Sequence, residues 1–137
     1  MIIGIFFIGI EISQGTRATR AQTAQGVWDQ LNQFAVTIAS SERDRNVFNQ
    51  FLRSGYEGLS GDERGAASRL FRQNLSIYDN AYYQFQQGSL DDDAYSRYRR
   101  VLESRIELPG FERFWEGQAY MFTDSFQSYI NSMRQLQ

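Results

Sequence analysis

The chain reads as all-α, and three observations predict it. Pro occurs once in 137 residues and long stretches carry no Gly, so little interrupts helix propagation. Apolar residues recur at spacings of three and four along most of the sequence. Ser, Thr and Asp stand where such patterns begin, as helix caps do. The length fits one domain with a sizeable core, and the many aromatics, eight Tyr, eleven Phe and two Trp, supply it. We expect an N-terminal transmembrane helix continuing into a compact bundle of about five further helices.

The first ten residues, MIIGIFFIGI, are uninterrupted apolar sequence. As a helix they rise ~15 Å, about half of a ~30 Å hydrocarbon core. This predicts a membrane anchor over residues 1–15, through Ile2, Ile3, Ile5, Phe6, Phe7, Ile8 and Ile10, whose beginning lies before Met1. A signal-peptide core fits poorly, because no basic segment precedes it and no small-x-small site follows it directly. An ordinary buried segment is the bland alternative. Residues 16–137 then form the helical domain.

Arg17 and Arg20 are the first cations, and no acid appears between Glu11 and Asp29. Cations just after a span favour the cytoplasmic side, which places the helical domain there. The sequence from Thr16 to about Ala39 predicts one helix with Ala24, Val27, Trp28, Leu31, Phe34, Ala35 and Ile38 on its inner stripe. Arg17 and Arg20 continue that side, where lipid headgroups or a partner's acid would suit them; a solvated turn is the bland alternative.

Ser41 with Asp44 predicts a cap for a short second helix, with Val47, Phe48, Phe51 and Leu52 inward and Gly55 closing it. Tyr56 to Leu59 reads as loop. Ser60-Gly61-Asp62-Glu63 is a stronger capping box and starts a central helix ending near Gly88. On that helix Leu70, Phe71, Leu75, Ile77, Tyr78, Ala81, Tyr82 and Phe85 span an arc of roughly 160°, too wide for one partner helix. Asn74 falls inside the arc and reads as a hydrogen-bonded buried amide or, alternatively, as a ligand contact. Tyr83 points away from the arc, toward solvent or a partner.

Ser89 to Asp93 starts the fourth helix. Its three successive carboxylates diverge by ~100° each and complement the helix dipole, so they do not predict a metal site. Ala94, Tyr95, Tyr98, Val101 and Leu102 are expected inward; Arg97, Arg99 and Arg100 form either a solvated face or a docking face for an acidic partner or headgroups. Leu108-Pro109-Gly110 is the clearest break, with Pro109 a candidate first helical residue. A short aromatic helix with Phe111, Phe114 and Trp115 reaches about Tyr120. A last helix capped by Thr123 or Asp124 carries Phe126, Tyr129, Ile130 and Met133 inward.

Composition narrows the chemistry. There is no Cys and no His, which removes thiolate catalysis, His-based triads, and zinc or haem held by His within this chain. All fourteen basic residues are Arg against sixteen acids, a net charge of −2, and no basic excess points to nucleic acid. No phosphate loop, dinucleotide fingerprint or nucleophile elbow occurs. A carboxylate-dependent hydrolase would need two facing acids, which nothing in the pattern predicts. We therefore expect no enzyme and no cofactor.

Gln14-Gly15-Thr16-Arg17-Ala18-Thr19-Arg20-Ala21 resembles a Q-N-T-R-A-x-R-A pattern, and Asn80 through Asp91 an N-A-Y-Y-Q-Y-x-x-G-x-L-D pattern. Pro109-Gly110 followed by Phe114-Trp115 is similar to a P-G…W-W pattern. Together these resemble a group of bacterial membrane proteins of unassigned activity with one N-terminal span and a small helical domain. Gly15 in place of Asn, Tyr95 in place of Trp and the shorter apolar run depart from it. The resemblance implies an anchor in the bacterial inner membrane and this fold, and it transfers no activity. The expected function is an accessory or scaffolding subunit of a membrane complex, respiratory or photosynthetic, whose partners are other membrane subunits and the bilayer. A free-standing sensor or small-ligand module with a pocket under Asn74 is the alternative.

Overall fold

The computed structural model describes the backbone of residues 2–137 and the side chains of residues 15–137. Six α-helices and one 3₁₀ turn make up these residues: α1 (Ile2–Ala39), α2 (Glu42–Ser54), α3 (Gly61–Gln86), α4 (Asp92–Ile106), α5 (Phe111–Gln118), the 3₁₀ turn Ala119–Met121, and α6 (Asp124–Gln135). The all-α expectation holds. The expected division at residue 15 is not a break in secondary structure, because α1 is one continuous helix. Among the described residues no helix is long and apolar enough to cross a membrane. The anchor side chains Ile2, Ile3, Ile5, Phe6, Phe7, Ile8 and Ile10 lie outside the described residues.

The caps follow the sequence. Ser41 Oγ accepts from Asp44 N–H at 3.2 Å. At α3 the box is complete: Glu63 N–H donates to Ser60 Oγ, and Ser60 N–H donates to Glu63 Oε1 at 2.9 Å. The Ser60 N–H bond, with the Ser60 side chain beside it, favours the ionised carboxylate and holds the Glu63 pKa below its ordinary value. Asp91 and Thr123 cap α4 and α6 through Ala94 N–H and Phe126 N–H. Gly55 ends α2 at φ 66°, a left-handed conformation that suits glycine. A Cβ on Gly110 would sit 2.7 Å from Gly55 Cα and 2.7 Å from Phe51, so the two chain reversals touch through their glycines. Pro109 is not the first helical residue: Gly110 is the cap and α5 begins at Phe111.

Helix α3 is the hub, touching α1, α2, α4 and α6. Its wide stripe is buried as expected at Leu70, Phe71, Leu75, Ile77, Tyr78 and Ala81, with Tyr82 and Phe85 half-buried. One side of the core is aromatic. Phe71 lies 4.9 Å from Phe51 and 4.7 Å from Phe114 between ring centroids. Phe111, Trp115, Phe122 and Phe126 extend the cluster. Trp115 Nε1–H donates to Asn131 Oδ1 at 3.0 Å, so the indole's one polar group is satisfied.

Two inner stripes are narrower than expected. On α4, Tyr95, Tyr98, Leu102 and Ile106 are buried, whereas Val101, ~100° off that line, is 38 % exposed. On α1 only Val27 and Ile38 are buried; Leu31 and Phe34 are half-buried and Ala35 is exposed. Trp28 is 42 % exposed and is covered instead by the Arg97 guanidinium, 4.9 Å from its ring. The stripe of α1 stays partly open because a groove runs along it.

Candidate functional site

The groove lies where α1, α2, α3 and α4 meet, open to the surface, with a volume of about 380 Å³. Leu31, Phe34, Ala35 and Ile38 form the α1 wall, and Phe48 the α2 wall. Phe34 and Phe48 meet edge to face with centroids 5.4 Å apart. Asn74, Tyr78 and Arg105 bring polar groups from α3 and α4, and Arg45 and Asn49 bring them from α2. No carboxylate lines the groove.

Asn74 is 3 % exposed, and its Oδ1 has no hydrogen-bond partner. The expected satisfied amide is therefore corrected at its oxygen: three turns of α3 put Asn74 in the apolar arc, but no Tyr hydroxyl or backbone group meets Oδ1. The Arg105 Nε is also buried without a partner. Leaving such a group unpaired costs about 1–3 kcal/mol. The buried Tyr95 and Tyr98 hydroxyls are unpaired too, but of these groups only Asn74 Oδ1 and Arg105 Nε belong to residues that line the groove. Burial pushes the Tyr78 phenol pKa up, and the Arg105 guanidinium opposes that shift. Arg45 is already used at this end, donating through Nη1 to the Ala39 carbonyl at 3.3 Å and closing α1.

A second concavity, about 740 Å³ and open, lies between α3 and α5. Arg64, Arg69, Arg72 and Arg113 line it, against the single acid Asp62. Arg72 Nη1 donates to Gln118 Oε1 at 3.1 Å, and Arg113 lies 5.2 Å over the Tyr56 ring. The sequence pattern missed this cluster, since Arg113 comes to the others only through the α5 reversal. The signal that could have found it is Arg64, Ser68 and Arg72 at i, i+4 and i+8 beside Gly61 and Gly65 on one face of α3.

The remaining candidates are dispersed. Arg20 Nε donates to the Gly88 carbonyl at 3.2 Å, tying α1 to the turn after α3. Arg17 shares a shallow concavity with Arg20, Leu90 and Asp91. Tyr83 is 51 % exposed, as its place outside the arc predicts. Arg97 covers Trp28, Arg100 Nη2 donates to Ser96 Oγ at 3.4 Å, and Arg99 is exposed. The structure does not bring Tyr83 and these arginines together with the groove. Among the described residues no group of three or more acids is placed to hold a metal ion. Searches against protein-family models, curated proteins and solved structures return no match to this chain.

Proposed function

We propose that this chain is a membrane-tethered helical adaptor, an accessory or scaffolding subunit that acts by binding partners and not by catalysis. One observation carries the reading: α1 runs unbroken from the apolar sequence at Ile2 to the bundle at Ala39. Thirteen residues of that helix precede Gly15, a rise of about 20 Å. They lead into the turn of α1 where Arg20 joins the bundle at Gly88, so one continuous helix links the apolar head to the folded body. The resemblance to single-span bacterial proteins supports the same placement, with the bundle on the cytoplasmic face of the inner membrane. The arginine-lined cleft between α3 and α5 offers such a partner a concentrated positive surface on an otherwise acidic chain.

Fractionation tests this. The full chain should sediment with membranes and elute in mild detergent with a stoichiometric partner, and a variant lacking residues 2–12 should move to the soluble fraction while keeping its helical circular dichroism. A full chain that stays soluble and monomeric at low salt sinks the reading. A second reading, a small-ligand module, is favoured by the groove beside Asn74, which combines apolar walls with unpaired polar groups as ligand sites do.

A further inference from the structure

The groove carries more than the fact of a binding site. Its lining sets the chemistry of what fits. The walls from Leu31, Phe34, Ile38 and Phe48 are apolar and ask for an apolar body. The polar part of the lining includes two guanidinium groups, Arg45 and Arg105, and no carboxylate among the lining residues answers them. Arg45 is committed to the Ala39 carbonyl, whereas the Arg105 Nε–H has no acceptor. The Asn74 amide comes from a different helix to the same space, its Oδ1 also without a partner. A volume of about 380 Å³ stands at the small end of ligand pockets, which run ~300–1,000 Å³.

From these we infer that the groove binds a small monocarboxylic acid with an apolar aliphatic or aryl tail. The carboxylate accepts from Arg105 Nε–H. It also accepts from the Asn74 amide, which a half-turn about χ2 presents through Nδ2. The tail lies along Leu31 and Phe34 of α1, whose half-exposed faces it covers. An amine is rejected, because its charge would meet Arg45 and Arg105 with no anion near. An alcohol of the same shape gains the walls and one hydrogen bond but no ion pair, so it binds more weakly. The inference rests on the ligand-module reading of the groove and is independent of the membrane tether.

The test uses the full chain in detergent with three probes of one shape: 3-phenylpropanoate, 3-phenylpropan-1-ol and 3-phenylpropylamine, each also titrated into empty micelles. Binding is read by calorimetry and by the side-chain amide resonances of Asn74. The acid should bind at least about tenfold tighter than the amine and shift the Asn74 resonances. Arg105→Gln should erase the preference for acid over alcohol, and Asn74→Leu should weaken both without loss of thermal stability. If the amine binds as well as the acid and moves Asn74, the acid class is overturned while the groove stands as a ligand site. If none of the three moves Asn74, both the class and the ligand-module reading fall.

Discussion

Phe71 and Asn74 sit three residues apart on α3 and meet opposite conditions. Phe71 is enclosed by rings from α2 and α5, and the polar groups of that cluster are paired, the Trp115 N–H with Asn131 and the Tyr56 hydroxyl with Ser68. Asn74 is just as buried, but it faces a groove and its Oδ1 has no partner. Around Phe71 the core is ring-to-ring contact with a satisfied indole, although on α4 the buried Tyr95 and Tyr98 hydroxyls lack a partner as Asn74 Oδ1 does. The open side keeps a polar group that folding would be better without. Local rules broken in this way are expected at functional or strained sites.

The largest expected effect lies on the closed side. Phe71→Ala should remove about 3–5 kcal/mol of stability, read as a drop in the urea midpoint without a change in slope. A loss under 1 kcal/mol would mean that the aromatic cluster repacks and that the two sides differ less than they look.

Next comes alkali. Burial raises the pKa of Tyr78, Tyr95 and Tyr98, and at Tyr95 the Tyr129 hydroxyl adds to it. A raised folded-state value means that this stabilisation is whole below the unfolded pKa of ~10 and is lost as pH rises through the folded values. Tyr95, the most strongly shifted, should ionise only with unfolding. Tyrosinate absorbance and circular dichroism followed together above pH 10 should show its ionisation and helix loss coinciding.

Asn74→Leu sharpens the comparison because its sign is reversed. Replacing the unpaired amide by an apolar group of similar size should raise stability by about 1 kcal/mol, seen as a higher melting temperature. A destabilised variant would show that Asn74 serves the fold. The smallest effect tests the cap. Ser60→Ala should cost about 1 kcal/mol at neutral pH. Because the Glu63 pKa is lowered in the fold, the box contributes above the ordinary carboxylate range and fades as pH falls through the folded value. Glu63→Ala, which removes the carboxylate itself, should therefore differ from wild type at neutral pH and converge with it in acid.

Helix identity was legible because its causes are local. Ser60 with Glu63, Gly55 after Ser54, and the run of apolar residues on α3 each act within a turn or two of chain. The width of the α3 arc foretold several neighbours and was right for the same reason. Errors arose where a residue's fate depends on a distant element. Val101 reads as inner until the direction of α4 against α3 is known, and Trp28 reads as core until Arg97 covers it. Asn74 reads as satisfied because most buried amides are; only the gap between α1 and α4 shows otherwise.

By itself the sequence determined an all-α chain without thiol or imidazole chemistry, the places where its helices start and stop, and the apolar head of α1. These follow from residue type and from spacing along one strand of covalent chain. Tertiary structure alone decided which side of α1 stays open, that Arg105 and Asn74 share a groove, and that Arg113 joins Arg64, Arg69 and Arg72. Helix directions are set by how whole side-chain surfaces interlock, and that sum over many distant contacts is not written in any local pattern.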